Sequence, residues 1–139
     1  MITKIIIKGT SGYGPISESY KDKLVVTADN ISYEYIPYQE SIANTSHKWR
    51  YKTNSPLFRH LFLQAAEIIP AVLTVNAPPV SDIGKTTFIV SYDNGSREKR
   101  EFFLPGQYFG DIFKILKQMV PGCEYEPAVL SYGSKHVNN

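Results

Sequence analysis

Cysteine is close to absent from this sequence: Cys123 stands alone among 139 residues. A single thiol excludes an intramolecular disulfide and a Cys-x-x-Cys metal pair. Cys123 follows Pro121-Gly122 and precedes Glu124, so nothing nearby lowers its pKa and it reads as an inert thiol. Histidine is scarce as well. His47, His60 and His136 are never four residues apart, and none lies in a cysteine cluster, so no metal site is expected. Long apolar runs are missing too. The run Ile5-Ile6-Ile7 stops at Lys8, too short for the core of a signal peptide, and no stretch approaches the roughly 20 apolar residues of a membrane span. A reducing cytoplasm is the expected compartment, with no membrane partner. Nor is there an excess of one charge: 15 Lys and Arg face 13 Asp and Glu, for a net charge of +2. That balance by itself implies no nucleic-acid or anionic-membrane partner.

Motifs of known chemistry fail in turn. Gly84-Lys85-Thr86 invites a phosphate-loop reading, but the pattern requires glycine where Pro79 stands, with a strand before it and a helix after. The segment instead leaves a proline-rich stretch and enters a strand. Gly9 to Gly14 lacks the spacing of a dinucleotide fingerprint, and no helix follows it directly. A nest of backbone amides for an anion is the most it offers. No Gly-x-Ser-x-Gly elbow occurs. Asp22, Asp29, Asp82, Asp93 and Asp111 fall mostly at turns or a helix start, where structure alone explains them. No catalytic residue, cofactor or metal is therefore expected.

What the chain does have is apolar and aromatic bulk. Hydrophobic residues make up 42% and charged residues 20%, with ten Tyr and seven Phe. This is a globular balance, and the length suits a single domain over 1–139 that buries roughly two-thirds of its surface without a disulfide or metal. Most of the aromatics are expected in the core.

Thr3 to Lys8 is β-branched and reads as a first strand, followed by the glycine-rich loop Gly9 to Pro15. Lys23 to Ala28 and Ile31 to Tyr38 flank the turn signal Asp29-Asn30 and read as a hairpin. His47 to Thr53 alternates strictly, with Trp49 and Tyr51 on one side and Lys48, Arg50 and Lys52 on the other. Asn54-Ser55-Pro56 opens a helix whose Phe58, Leu61, Phe62, Ala65, Ile68 and Ile69 share a face, with Pro70 marking its end. Residues 71–85 form an irregular connection. Asn94-Gly95 between the alternating runs Thr86–Tyr92 and Arg97–Leu104 is the strongest hairpin signal in the chain. A second helix presents Phe109, Ile112, Phe113, Leu116, Met119 and Val120, and Pro121-Gly122 stops it. Tyr125, Val129, Leu130 and Tyr132 give the tail enough apolar character to dock, while Ser134 to Asn139 should be loose.

The two helices overlay at a constant offset, Phe58 on Phe109 and Pro70 on Pro121, and each follows a hairpin. Tandem ββα units are one explanation; two amphipathic faces matching on their own account is the other. Either way the order predicts an α+β domain: an antiparallel sheet of about six strands with both helices packed on one face.

That arrangement leaves the other sheet face to water. The leading expectation is a small cytoplasmic binding or interaction module without catalytic activity. Its surface is Lys48, Arg50 and Lys52, with Gly12 and Gly14 of the glycine loop beside it, and its partner is a protein or a small molecule. Glu34 on the preceding strand is placed to pair with these cations. One alternative is an enzyme whose site gathers from the 9–15 and 71–85 loops. A second is nucleic-acid binding through the basic face. Stacked bases need aromatics beside the cations, and Trp49 and Tyr51 point the opposite way. Leu63, off the apolar stripe of its helix and near Ala66, suggests a subunit contact and hence a homodimer.

Overall fold

A computed structural model of the chain describes residues 1–122 and 125–131. The period-two patterns become strands β1 (Ile2–Thr10), β2 (Tyr20–Thr27), β3 (Asn30–Pro37), β4 (His47–Lys52), β5 (Thr86–Tyr92) and β6 (Arg97–Phe102). The period-3.6 patterns become helices α1 (Pro56–Leu73) and α2 (Gly110–Met119). All strand pairs are antiparallel, in the order β4-β3-β2-β1-β5-β6. The class is α+β.

The first strand of the chain is central. Hairpins β3–β4 and β5–β6 flank the β1–β2 pair, and a helix follows each. The strand directions are those that a two-fold axis normal to the sheet, between β1 and β2, would produce.

Alternation decides which side of the sheet is dry. Ile5 and Ile7 of β1 face Val26 and Leu24 of β2 on one side and Val90 and Phe88 of β5 on the other. All six are fully buried. The buried stripe of α1 (Phe58, Leu61, Phe62, Ala65, Ile69) and that of α2 (Ile112, Phe113, Leu116, Met119) close on them in one apolar cluster. Burial of such large aliphatic and aromatic side chains stabilises by about 1.5–3 kcal/mol each.

The helix boundaries differ from those expected. Ser55, not Asn54, caps α1 by accepting from the Phe58 amide at 3.3 Å. Pro70 does not end the helix, which runs on to Leu73. Pro70 is exposed, so the Ala66 carbonyl it orphans can turn to water, while buried Val72 and Leu73 anchor the extra turn. The irregular connection is therefore shorter than 71–85 and starts at Thr74. Arg100 of β6 reaches across to donate to the Leu73 and Val75 carbonyls, satisfying a helix C-terminus with a cation. A short 3-10 turn, Gly106–Phe109, precedes α2, so Phe109 lies before that helix and half-buried Val120 after it.

The connection closes back onto β1. The Thr10 amide donates to the Lys85 carbonyl at 3.0 Å, and the Lys85 amide to Thr10 Oγ1 at 2.9 Å. Gly84 lies so close that a Cβ there would stand 1.7 Å from the Thr10 carbonyl oxygen. Backbone cannot yield as a side chain can, so Gly84→Ala should cost about 1–3 kcal/mol by forcing the two segments apart. Urea unfolding measures it, and an unchanged midpoint would refute the close approach.

Another short 3-10 turn, Ala128–Leu130, docks the tail, burying Val129 and Leu130. Cys123, Tyr132, His136 and the 134–139 tail lie outside the described residues.

Candidate functional site

Both helices cover one face, and charge gathers on the other. Lys48 and Arg50 are exposed there, with Lys52 beside them, while Trp49 and Tyr51 point to the helix side. The sheet extends this short basic row well beyond β4. Across the six strands one row reads Lys48, Glu34, Lys23, Lys8, Thr87, Glu101. The next reads Arg50, Ser32, Val25, Ile6, Ile89, Lys99. Lys52 begins a third, which ends in Lys4, Ser91 and Arg97. Lys21, opposite Thr10, and Lys85 close the end nearest the glycine loop. Among the described residues, ten of the chain's fifteen cations thus share a face with two of its thirteen acids, Glu34 and Glu101. A nearly neutral protein carries one strongly positive side.

The face is hollowed. One concavity of about 360 Å³ is lined by Lys8, Lys21, Lys23, Lys85 and Lys99 with Glu34 and Glu101. A second, of about 530 Å³, is lined by Lys23, Lys48 and Arg50. They share Lys23 and Glu34, so together they form one trough from β6 to β4. On the same face, the register partners Ile6 and Ile89 are only 8% exposed although no helix covers them. Long lysine stems shield such positions while their ammonium groups stay in water.

Few of these cations are neutralised. Glu101 holds Lys85 at 3.4 Å and Lys99 at 3.6 Å. Among the described residues, Lys8, Lys21, Lys23, Lys48, Arg50 and Lys52 have no acid within 4.0 Å. Glu34 is the register partner of both Lys23 and Lys48, as its sequence position suggests, yet it closes an ion pair with neither.

Gly9 and Thr10, at the start of the glycine loop, line the trough, but Gly12 and Gly14 do not. Gly12 packs against the backbone of residues 82–84, and Gly14 faces open space. The 9–15 loop does meet the connection before β5, where the Tyr13 amide donates to the Asp82 carbonyl at 3.4 Å. What meets there is mainly backbone. Among the described residues no group of three or more His, Cys, Asp or Glu is set to hold a metal. His60 is exposed on α1, and Leu63 is 50% exposed.

One acid departs from its expected place. Asp22 is not at a turn but inside β2, 4% exposed, on the helix side. It accepts from the Tyr33 hydroxyl at 2.6 Å and from the Val129 amide at 2.9 Å, and the Tyr33 oxygen accepts in turn from the Ala128 amide at 3.1 Å. The carboxyl thus clamps the tail to the sheet. Gly9 makes the room: a Cβ there would lie 2.7 Å from Asp22 Oδ1 and 2.8 Å from a Val129 methyl. Oδ1 is buried and, among the described residues, has no hydrogen-bond partner. The Gly9 amide favours the carboxylate but does not reach bonding geometry with that oxygen. Burial dominates and raises the Asp22 pKa from 3.8 to about 6, against the lowering effect of its hydrogen bonds. Burial, with the neighbouring Asp22 charge, also raises the Tyr33 pKa, and it pushes Tyr20 up to about 12.

Beside this clamp runs a ladder of rings across β2, β3, β4 and the tail. Tyr20 stacks on Tyr35 at 4.8 Å, Tyr35 on His47 at 4.6 Å, and His47 on Tyr125 at 3.8 Å. Trp49 Nε1 donates to the Tyr125 carbonyl at 2.8 Å. The aromatics of β2, β3 and β4 are thereby committed to the helix side.

Sequence reasoning missed most of the trough. Lys4, Lys8, Lys21 and Lys23 alternate with core residues just as Lys48, Arg50 and Lys52 do. That spacing was the available signal; which strands lie side by side was not. Fold and site together define a two-layer α+β domain with an uncovered, cationic sheet face. The chain matches no protein-family model, and no curated protein matches it either.

Proposed function

We propose that this chain is a binding module, without catalytic activity, whose cationic trough captures an acidic segment of a partner protein. One observation carries the reading: ten cations stand with two acids on a single face, and most of them are unpaired. Like charges held together repel, and an anionic partner relieves that repulsion while steering its own approach. Aromatic placement favours a protein over a nucleic acid. Trp49 and the ring ladder lie on the far face, so bases entering the trough find little to stack on. Enzyme chemistry has less support: the charged side chains on the trough face are cations with Glu34 and Glu101, while Asp22 and Tyr33, which also line it, bond to each other on the helix side.

The test is the triple variant Lys48→Glu, Arg50→Glu, Lys52→Glu. These side chains sit on the uncovered face, so far-ultraviolet circular dichroism and the thermal midpoint should be nearly unchanged. Binding of a glutamate-rich peptide should weaken by about 10–100-fold, from three exposed pairs lost and new repulsion added. Wild-type binding should also fall with added salt. Undiminished binding by the variant would assign the wrong surface. A single-stranded oligonucleotide of equal charge binding more tightly than the peptide would replace the protein partner with a nucleic acid.

A further inference from the structure

The trough ends at an unpaired strand. β4 bonds to β3 and, among the described residues, to no strand on its outer side. Its outward amides and carbonyls form a template for another strand. The opposite edge is braced by the chain itself: Val80 donates to the Phe103 carbonyl just past β6, and Arg100 holds the carbonyls of Leu73 and Val75.

β4 also has two chemically distinct sides. Lys48, Arg50 and Lys52 face the trough. On the other side Trp49 is half-buried and Tyr51 is 41% exposed, its ring 6.3 Å from that of Phe58. Leu57, next to Phe58 in the first turn of α1, is 66% exposed. A strand added about 4.8 Å away would set alternate side chains beside each row. Acids would meet the cations, and apolar residues would meet Tyr51 and Leu57. A second copy of this chain fits poorly, because β4 against β4 places cation beside cation, which is destabilising across a strand pair.

We infer that the β4 edge receives an extended partner segment of alternating acidic and apolar residues as a seventh strand of the sheet. The inference rests on the proposed function and adds main-chain pairing to it. Main-chain bonds supply affinity in such strand addition, and the alternate side chains supply selectivity.

A synthetic Glu-Val-Glu-Val-Glu-Val-Glu peptide tests it. Four comparison peptides accompany it: the same composition in blocks, the same sequence N-methylated at every second amide in each of the two registers, and plain polyglutamate. Trp49, the only tryptophan, reports binding by fluorescence, and amide hydrogen exchange reports pairing. The alternating peptide should bind at least about tenfold more tightly than the blocked peptide and than one of the methylated registers. It should also slow exchange at outward-facing amides of β4. Equal binding by all peptides, without added protection, would overturn the seventh strand and leave the cationic trough standing. Failure of the alternating peptide and of polyglutamate alike would overturn both. Protection of β4 amides in the free protein, with a dimer on gel filtration, would give the edge to a second copy and end the inference.

Discussion

Phe88→Ala should lower the unfolding free energy by about 3–5 kcal/mol, the largest loss expected from any single truncation in this chain. Phe88 is fully buried in β5. Its ring centre lies 5.0 Å from that of Phe109, 5.9 Å from Phe102 and 6.4 Å from Phe113. One side chain therefore ties the sheet to both the 3-10 turn before α2 and α2 itself. Three rigid rings around the void cannot collapse into it as flexible aliphatic chains would, so the cavity term persists beside the lost burial. A domain of this size has about 5–15 kcal/mol in total, and the variant should be close to unfolding at 37 °C. Urea denaturation gives the value. A loss under about 1 kcal/mol would mean that the two layers are not joined through this cluster.

The second large effect depends on pH. The Asp22 carboxyl titrates at about 6 in the fold and near 3.9 in the unfolded chain. The folded value is the higher one, so the native state binds the proton more tightly. The stability this group contributes is fully present below pH 3.9 and is lost as pH rises through 6. A shift of about two units corresponds to about 3 kcal/mol. Oδ1, buried and unpartnered, is where the proton relieves the cost of an isolated charge. Asp22→Asn can still accept from Tyr33 and Val129 but cannot titrate. Urea midpoints of the two proteins should diverge between pH 4 and 7, the native protein losing stability relative to the variant. Parallel curves would show that Asp22 is not titrating in this window.

Much of the architecture is legible in the sequence because it is written locally. Asn94-Gly95 places the β5–β6 turn, where Gly95 adopts a φ of 88° that glycine takes without strain. The alternation of 47–52 orients Trp49 and Lys48 correctly, and the spacing of Phe58, Leu61, Phe62 and Ala65 locates α1. What escapes local reading depends on neighbours. Pro70 looks like a terminator until its exposure and the buried Val72 and Leu73 beyond it are known. Asp22 looks like a turn residue because its partners, Tyr33 and Val129, are 11 and 107 positions away. The candidate surface divides in the same way. Lys48, Arg50 and Lys52 belong to one strand and can be found by alternation. Lys8 and Lys23 join them only through the order β4-β3-β2-β1, and no stretch of sequence states that order.

The central place of β1 has a consequence for synthesis. Its two neighbours are β2 and β5, so residues 2–10 wait for residues 86–92 before both flanks are occupied. A ribosome that has released only the first sixty residues has supplied β1 to β4 and one turn of α1, with the Ile5–Ile7 side open. Until the second hairpin emerges, this half-made sheet is a sticky target for chaperones and for other nascent chains. Productive folding therefore waits for that hairpin, and is slow because its decisive contact, Ile5 with Val90, joins residues 85 positions apart.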